Sequence, residues 1–569
     1  MLKRRFLAIA LSASMMLTVV LSACGGKEEA KATPTSTAQP TEQAAEPTPK
    51  PDPFGKFDPP VEVTACRILT SWMGFDEGEN ENNNWWTKTY LEKLGVKVNV
   101  VWTAPNWGEP LEQKIATSIA TDDLPDLIPV YGSIVQKLLQ AEKTGDIKQA
   151  YEDYASDEVK ALMNRNNGQP YKNSFYNGKM FGLAHPGSDL GASMIWIRKD
   201  WLDKYQLSEP KNFADLENIA KTFIEKQAGG KGTYGIAMDK DIALMSYLYP
   251  AFGAYPSSWV EKNGKLEYSL VQPEVKEALK QASAWYQAKL ISNEFATKDQ
   301  NNELNSDIAS GKVGIVFSGS HFPNGGGARA LKKNNPEAEW IFVPMMTPNG
   351  DKIKHFAQSK SGDFIVVSKN AKHPEAIIRM VNLHTAIFGP NKPDYIQGNE
   401  FDTTPKGNMN FWNSIITFGF GYPGKNWMAA QTAREELKKG GDGSGLKVFD
   451  RPLFEQLYKW KTEGTKAENY EVNWAMWKLF GEGGSEEYIN EVLAKDINAN
   501  YNFDKFTGLD TPGMGKYGGE WNTKHKEFFI NAIMNGKVDE QFDAWVKYFY
   551  NNGGEQVTKE VNEWYQNNK

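Results

Sequence analysis

From Val61 onward, apolar residues recur along the chain in two alternating rhythms. Val61–Leu69 reads as a strand, Trp85–Leu94 as a helix stopped by Gly95, and Val96–Val101, apolar at alternate positions, as a second strand. Leu111–Ala120 has helical spacing, and after the turn at Thr121–Asp126 the run Leu127–Val130 reads as a third strand. Strand, helix, strand, helix, strand predicts an α/β fold with a parallel sheet covered by helices. Ligands of such sheets sit beyond the carboxyl ends of the strands. Ser71-Trp72-Met73-Gly74 follows one such end and Tyr131-Gly132-Ser133 another. Further on, Met180–Leu183 and Met194–Ile197 are short apolar runs on either side of the turn-rich His185-Pro186-Gly187-Ser188-Asp189. Such connections suit a hinge made of a few strand-end residues.

The first 60 residues follow neither rhythm. Lys3, Arg4 and Arg5 precede a mostly apolar run, Phe6–Leu21, of about 16 residues, shorter than the roughly 20 that span a bilayer. The tetrapeptide Leu21-Ser22-Ala23-Cys24 resembles the lipobox of bacterial lipoproteins, which implies cleavage before Cys24 and a diacylglyceryl group on its sulfur. Two acyl chains anchor a protein stably where one does not. Residues 1–23 are therefore expected to be a lipoprotein signal peptide, with Cys24 the lipidated residue. From there to Pro60 the chain is dominated by Lys, Glu, Ala, Thr, Pro and Gln, with almost nothing large and apolar before Phe54. Residues 24–60 are expected to be a disordered, semi-extended linker.

Composition narrows the function. The 569 residues, 40% of them hydrophobic, are enough for two or more domains with a large core. The formal charge is −7, and loss of residues 1–23 makes it more negative by three, so no general attraction to nucleic acid exists. With Cys24 lipidated, Cys66 stands alone in the first strand, and no disulfide framework is available. Catalytic motifs are missing as well. The six histidines, at 185, 321, 355, 373, 384 and 525, show no i, i+4 metal pairing, and no nucleophile elbow surrounds Ser318 or Ser320. Gly229-Gly230-Lys231-Gly232-Thr233 lacks the leading glycine of a phosphate loop. With 71 acidic residues, a carboxylate pair at glycosidase spacing is always available, so composition leaves hydrolysis open. The 18 Trp, 23 Tyr and 29 Phe offer flat apolar faces that suit sugar rings and core packing alike.

Several collinear stretches carry a resemblance to a known family. "LEKLGVKVNV", "KIATSIATDDLPDLIPVYG", "FYNGKMFGLAHP" and "IWIRKDWLDKYQLSEPKNFADLENIAKTF" are similar to segments of family 1 extracellular solute-binding proteins, the ligand receptors of ABC importers. The likeness continues through "SDIASGKVGIVFSGS", "FVPMMTPNGDK" and "GDFIVVSKNAKHPEAIIRMVNLH". The tail "NGKVDEQFDAWVKYFYNNGGEQVTKEVNEWYQ" resembles the long lipoprotein branch of Gram-positive bacteria, and the whole covers nearly all of residues 61–569. The resemblance implies two α/β lobes of the type II periplasmic-binding-protein-like fold, joined by a hinge with a central ligand cleft. It places residues 61–184 and 355–450 in lobe one, and 185–354 and 451–569 in lobe two.

Position along the family pattern also implies ligand contacts. Trp72, Tyr131 and Ser133 fall in cleft loops after strands, and Ser188 and Asp189 at the crossover. Tyr255 and Trp259 precede "EKNGKLEYS" in lobe two, and Trp412 and Trp427 flank Gly419–Gly424. His321 stands where relatives that bind maltodextrins carry a stacking tryptophan, a departure that argues against a maltodextrin. Trp201, Trp285, Trp545 and Trp564 punctuate amphipathic helices and read as lobe core, as do Trp474 and Trp477 on one helical face. The long branch often carries a calcium loop before a "YG" strand. Here that slot, Gln227–Thr233, has no carboxylate, whereas calcium takes six to eight oxygen ligands. The expectation is a monomeric receptor, lipid-anchored on the outer face of the cytoplasmic membrane, that captures an oligosaccharide and delivers it to ABC permease subunits. No catalysis, cofactor, metal or nucleic acid enters this expectation. A surface glycan-binding sensor or adhesion module without transport is the alternative.

Overall fold

Nine strands of the computed structural model divide between two sheets. The structure describes residues 51–568 apart from 70–74, 76, 106–108, 188, 256–257, 358–361, 390–415, 418–419 and 447–449. In chain order the strands are β1 (Val61–Ile68), β2 (Val96–Ala104), β3 (Leu127–Tyr131), β4 (Gly182–Ala184), β5 (Met194–Arg198), β6 (Tyr234–Ile236), β7 (Val313–Ser318), β8 (Trp340–Pro344) and β9 (Asp363–Val367). The first sheet has the order β2-β1-β3-β9-β4, the second β8-β5-β7-β6. β1, β2 and β3 are parallel, as the alternating rhythm predicts, and β9 returns antiparallel between β3 and β4. In the second sheet β7 runs parallel to β6 and antiparallel to β5, which lies antiparallel to β8.

Local chemistry sets the first crossover. The Asn84 side chain accepts from the N–H groups of Trp86 and Thr87, and the Thr87 hydroxyl accepts from Asn84 N–H, a reciprocal cap that starts the helix Trp85–Thr89. That helix runs on as a π turn, Tyr90–Leu94, and ends at Gly95 with φ 65°. A Cβ at Gly95 would sit 2.3 Å from the Phe57 carbonyl oxygen, so both conformation and space require glycine.

Two large cores follow the sheets. Around the first sheet, the helix Pro374–Phe388 packs with Val63, Val98, Leu127 and Leu183. Around the second, the helix Pro273–Gln287 and the C-terminal helices Pro512–Asn535, Val538–Phe549 and Glu555–Asn567 pack with Ile195, Ile197 and Phe317. Trp201, Trp285 and Trp545 are buried there and Trp564 packs at the edge. Trp474 is buried against the other face of the second sheet, and Trp477 is half-buried in a neighbouring cluster. Cys66 is buried in β1, and burial pushes its thiol up, away from the reactive thiolate.

Composition alone does not show how residues 51–60 are held. Phe54 and Phe57 pack on the first core, and the Arg379 guanidinium lies 4.5 Å from the Phe57 ring. The fully buried Asn382 amide donates to Pro53 O at 2.8 Å and Tyr154 O at 2.7 Å, while its oxygen accepts from Ser156 N–H at 2.9 Å.

The chain passes between the sheets at 185–193 and again at 345–362. His355 Nδ1 accepts from Ser193 N–H at 3.2 Å, joining the two passages. His355–Ala357 also pairs with Tyr501–Phe503. Just beyond, Gln169 and Asn173 both donate to Thr507 O, at 3.0 and 2.8 Å. The helix Lys425–Lys439 packs against Arg451–Glu463, which packs against Tyr470–Phe480.

Candidate functional site

A cavity of about 670 Å³ opens at the carboxyl end of β7. Three contacts fix the loop that borders it. Trp196 Nε1 donates to Gly319 O at 2.9 Å, and Ser485 Oγ donates to Ser320 O at 3.0 Å. Tyr247 lies under Gly319, where an added Cβ would be 3.3 Å from its ring. Opposite, Asp299 caps a single π turn, Gln300–Leu304, by accepting from Asn301 N–H at 2.9 Å. Such turns are rare and frequent at functional sites. Gln300, Asn301 and Asn305 line the cavity beside the buried Leu304 and Ile308, with Phe322 and Phe356 also lining it. Apolar walls with a few convergent amides and hydroxyls are the lining a neutral polyol needs, because each hydroxyl finds a partner while ring faces lose water.

His321 and the phenol of Tyr247 are the ionisable side chains among the described lining residues, and His321 remains largely exposed. Its Nδ1 hydrogen-bonds the Ser320 hydroxyl at 3.0 Å and stands 3.7 Å from Glu486 Oε1. Glu486 is buried, and burial raises its pKa against the opposing pull of Ser320 and His321. Serine, histidine and glutamate together are not a catalytic relay here. A relay places the nucleophile on one ring nitrogen and the orienting acid on the other, whereas both partners meet His321 at Nδ1.

The sequence candidates scatter. His321 lines the cavity. Tyr255 stacks on the lining residue Phe356, ring centroids 6.0 Å apart, and is itself buried. Asp189, two residues before the lining Gly191, is exposed and accepts from Gly424 N–H. Trp259 is only 4% exposed and packs in the second core beside Tyr268, so its faces are taken by protein. Trp427 packs half-buried with Phe454 and Leu457, with the Arg434 guanidinium 5.5 Å from its ring. Tyr131 ends β3 and donates to Glu112 at 2.9 Å, and Ser133 sits in the first turn of the helix Gly132–Gln140. Trp72, Ser188, Trp412 and Cys24 lie outside the described residues. Sequence reasoning misses Gln300, Asn301, Asn305, Tyr247 and Phe356. Their one available signal is adjacency, since Asn305 immediately precedes the family-like stretch "SDIASGKVGIVFSGS".

The loop Gln227–Thr233 closes on itself. Gly229 N–H donates to Thr233 Oγ1 at 3.0 Å, and the Thr233 hydroxyl donates to Gly230 O at 2.7 Å. Among the described residues, no cluster of three His, Cys, Asp or Glu is placed to hold a metal.

A two-sheet α/β receptor with its cavity at strand ends is the architecture of solute-binding proteins. The family model for bacterial extracellular solute-binding proteins matches residues 81–385, more than half of the chain, and the chain belongs to that family. It is 25% identical to the polygalacturonan/rhamnogalacturonan-binding protein YtcQ of Bacillus subtilis over 270 residues, covering 44% of this chain and 50% of that one. It is 23% identical to lipoprotein LipO of Bacillus subtilis over 499 residues, 84% of this chain and 88% of the other. It is 26% identical to the fructooligosaccharide ABC transporter substrate-binding protein FusA of Streptococcus pneumoniae over 256 residues, 41% of this chain and 46% of the other. The match thus spans about half the length of YtcQ and of FusA. Among solved structures, the alginate-binding protein AlgQ2 without calcium ion superposes with a TM-score of 0.58 at 17% identity, covering 90% of this chain and 99% of that one. The fold is therefore the two-lobed solute-binding type.

Proposed function

We propose that this chain captures an oligosaccharide outside the cell and presents it to the permease of an ABC transporter, acting as a receptor without catalysis. The observation that carries this reading is the cavity at the end of β7, where amides and hydroxyls stand among apolar walls. The names of the relatives YtcQ and FusA support a carbohydrate ligand. Hinge closure would follow from ligand contacts made to both lobes, which favour the closed state by their differential affinity. We place the first sheet in lobe one and the second sheet in lobe two, with the passages at 185–193 and 345–362 as hinge. The helix Lys425–Lys439 goes with its packing partners Arg451–Glu463 and Tyr470–Phe480.

Lipid anchoring through Cys24, a metal-free body and a monomeric state belong to the same proposal. The lipoprotein name of LipO, similar over 84% of the chain, supports the anchor. No helix among the described residues is long and apolar enough to cross a membrane. Cys24→Ala should move the protein from the membrane fraction to the medium with its fold intact. The function itself is tested by a thermal-shift screen against plant and bacterial oligosaccharides, where ligand at 100 times its Kd adds about 2.7 kcal/mol. The His321→Ala variant should lose most of that shift. A screen in which no oligosaccharide stabilises the protein overturns the reading.

A further inference from the structure

We infer that the site selects neutral oligosaccharides and rejects uronates, a specificity set by Glu486 beside His321, with Asp189 near it, and by the pairing of three lysines near the cavity. This rests on the proposed oligosaccharide site and adds to it the charge class of the ligand, which likeness to relatives leaves open. YtcQ is named for acidic polysaccharides and FusA for a neutral one.

No lysine or arginine lines the cavity among the described residues. Apart from His321, the polar side chains that would meet a sugar are neutral: the amides of Gln300, Asn301 and Asn305 and the hydroxyls of Ser246, Ser318 and Ser320. Three nearby lysines already have anionic partners. Lys240 holds Asp299, the cap of the π turn, at 3.1 Å, and Lys298 and Lys312 both hold Asp307. Glu486, by contrast, stands 3.7 Å from His321 and hydrogen-bonds the lining Ser320. Asp189, near enough to raise the proton affinity of Glu486, adds a second negative charge. Lys425 also interacts with Asp189, but it is packed over the Phe388 ring, 4.8 Å from its centroid. A uronate entering this site would shed water without gaining a lysine or arginine partner from the lining, and would do so beside like charge. A hydroxymethyl group at the same position needs only the amides and hydroxyls present. This is discrimination by an uncompensated charge.

The test pairs each uronate oligomer with its own carboxyl-reduced product, so that linkage and length stay fixed. Trimers of galacturonate, of mannuronate and of glucuronate are titrated calorimetrically into the mature protein alongside their reduced partners. For any backbone that binds, the reduced trimer should bind at least tenfold tighter, about 1.4 kcal/mol. The Glu486→Gln variant, with an unchanged melting temperature, should narrow that gap several-fold. A uronate that binds tighter than its reduced partner, weakening steeply with salt, overturns the charge assignment and leaves the oligosaccharide receptor standing. Should no trimer bind and the wider oligosaccharide screen also fail, the receptor reading falls and this inference with it. An equal gap in Glu486→Gln would remove Glu486 from the explanation and overturn exclusion of uronates by the carboxylate beside His321.

Discussion

His355 Nδ1 accepts the backbone N–H of Ser193 at 3.2 Å, and this bond joins the two passages of chain that cross between the sheets. Ser193 lines the cavity, and so does Phe356, the neighbour of His355. The bond therefore couples the proposed hinge to the proposed ligand site. His355→Ala strands a buried N–H, which costs about 1–3 kcal/mol, and should also change ligand affinity several-fold by loosening the passages. Urea denaturation and calorimetry read the two effects separately. Lost stability with unchanged affinity would make the bond purely structural.

Acid should weaken the fold. His185, His355 and His525 are each lowered to about 4 by burial, and Lys425 adds to the effect at His185. Folded, they stay neutral down to about pH 4. Unfolded, they take a proton near pH 6.5. Between those values the unfolded state binds more protons, so stability falls as pH falls. Glu158 opposes this, since burial raises it to about 7 and its folded carboxyl gains the proton first. Asp239, Asp363 and Glu486 are also raised and act in the same sense as Glu158. The deeper burial of the histidines should leave a net loss of about 2–4 kcal/mol from pH 7 to pH 5. Urea midpoints at the two pH values with an unchanged slope measure it, and equal midpoints would refute it.

Much of the fold was legible because its signals are local. Gly95 ends a helix, alternation marks β2, and strand-helix succession dictates parallel pairing of β1, β2 and β3. The site was less legible because a binding surface has no period. Trp259 and His321 look equally promising in a string of residues, yet one is packed in a core and the other lines the cavity. Gln300, Asn301 and Asn305 acquire meaning from a π turn, which adds one residue to a helical turn and has no sequence signature. The role of Pro51–Pro60 was hidden in the same way. Its proline-rich composition reads as linker, but the partners that hold it, Asn382 and Arg379, lie more than 300 residues away in sequence.

Asn382 should be among the costliest polar positions to change. Its fully buried amide satisfies Pro53 O, Tyr154 O and Ser156 N–H at once. Asn382→Ala removes all three bonds and leaves two carbonyls and an N–H buried, an expected loss of about 3–5 kcal/mol. Asn382→Asp keeps one acceptor but loses both donations and should be nearly as damaging. Residues 51–60 should then become sensitive to protease in both variants, which limited proteolysis with mass mapping detects. Protection equal to that of the native protein would show that Phe54 and Phe57 hold the segment without the amide.

Thr233 closes the loop 227–233 through its own hydroxyl. Its hydroxyl both accepts from Gly229 N–H and donates to Gly230 O. Gly229 has no room for a side chain, since a Cβ there would meet Gly311 O at 1.9 Å, so the loop must stay close to this conformation. Thr233→Val keeps the shape of the side chain and deletes both bonds; at this partly exposed site the expected loss is about 1–2 kcal/mol. Calcium chelation should leave the melting temperature of the native protein unchanged, because no carboxylate lies within the loop. The two measurements separate the possibilities. Destabilisation by chelation, reversed by added calcium and absent in a protein carrying Thr233→Val, would mean that this loop does hold a cation through its oxygens. Destabilisation by chelation that persists unchanged in that variant would locate a cation elsewhere in the chain and overturn the metal-free proposal.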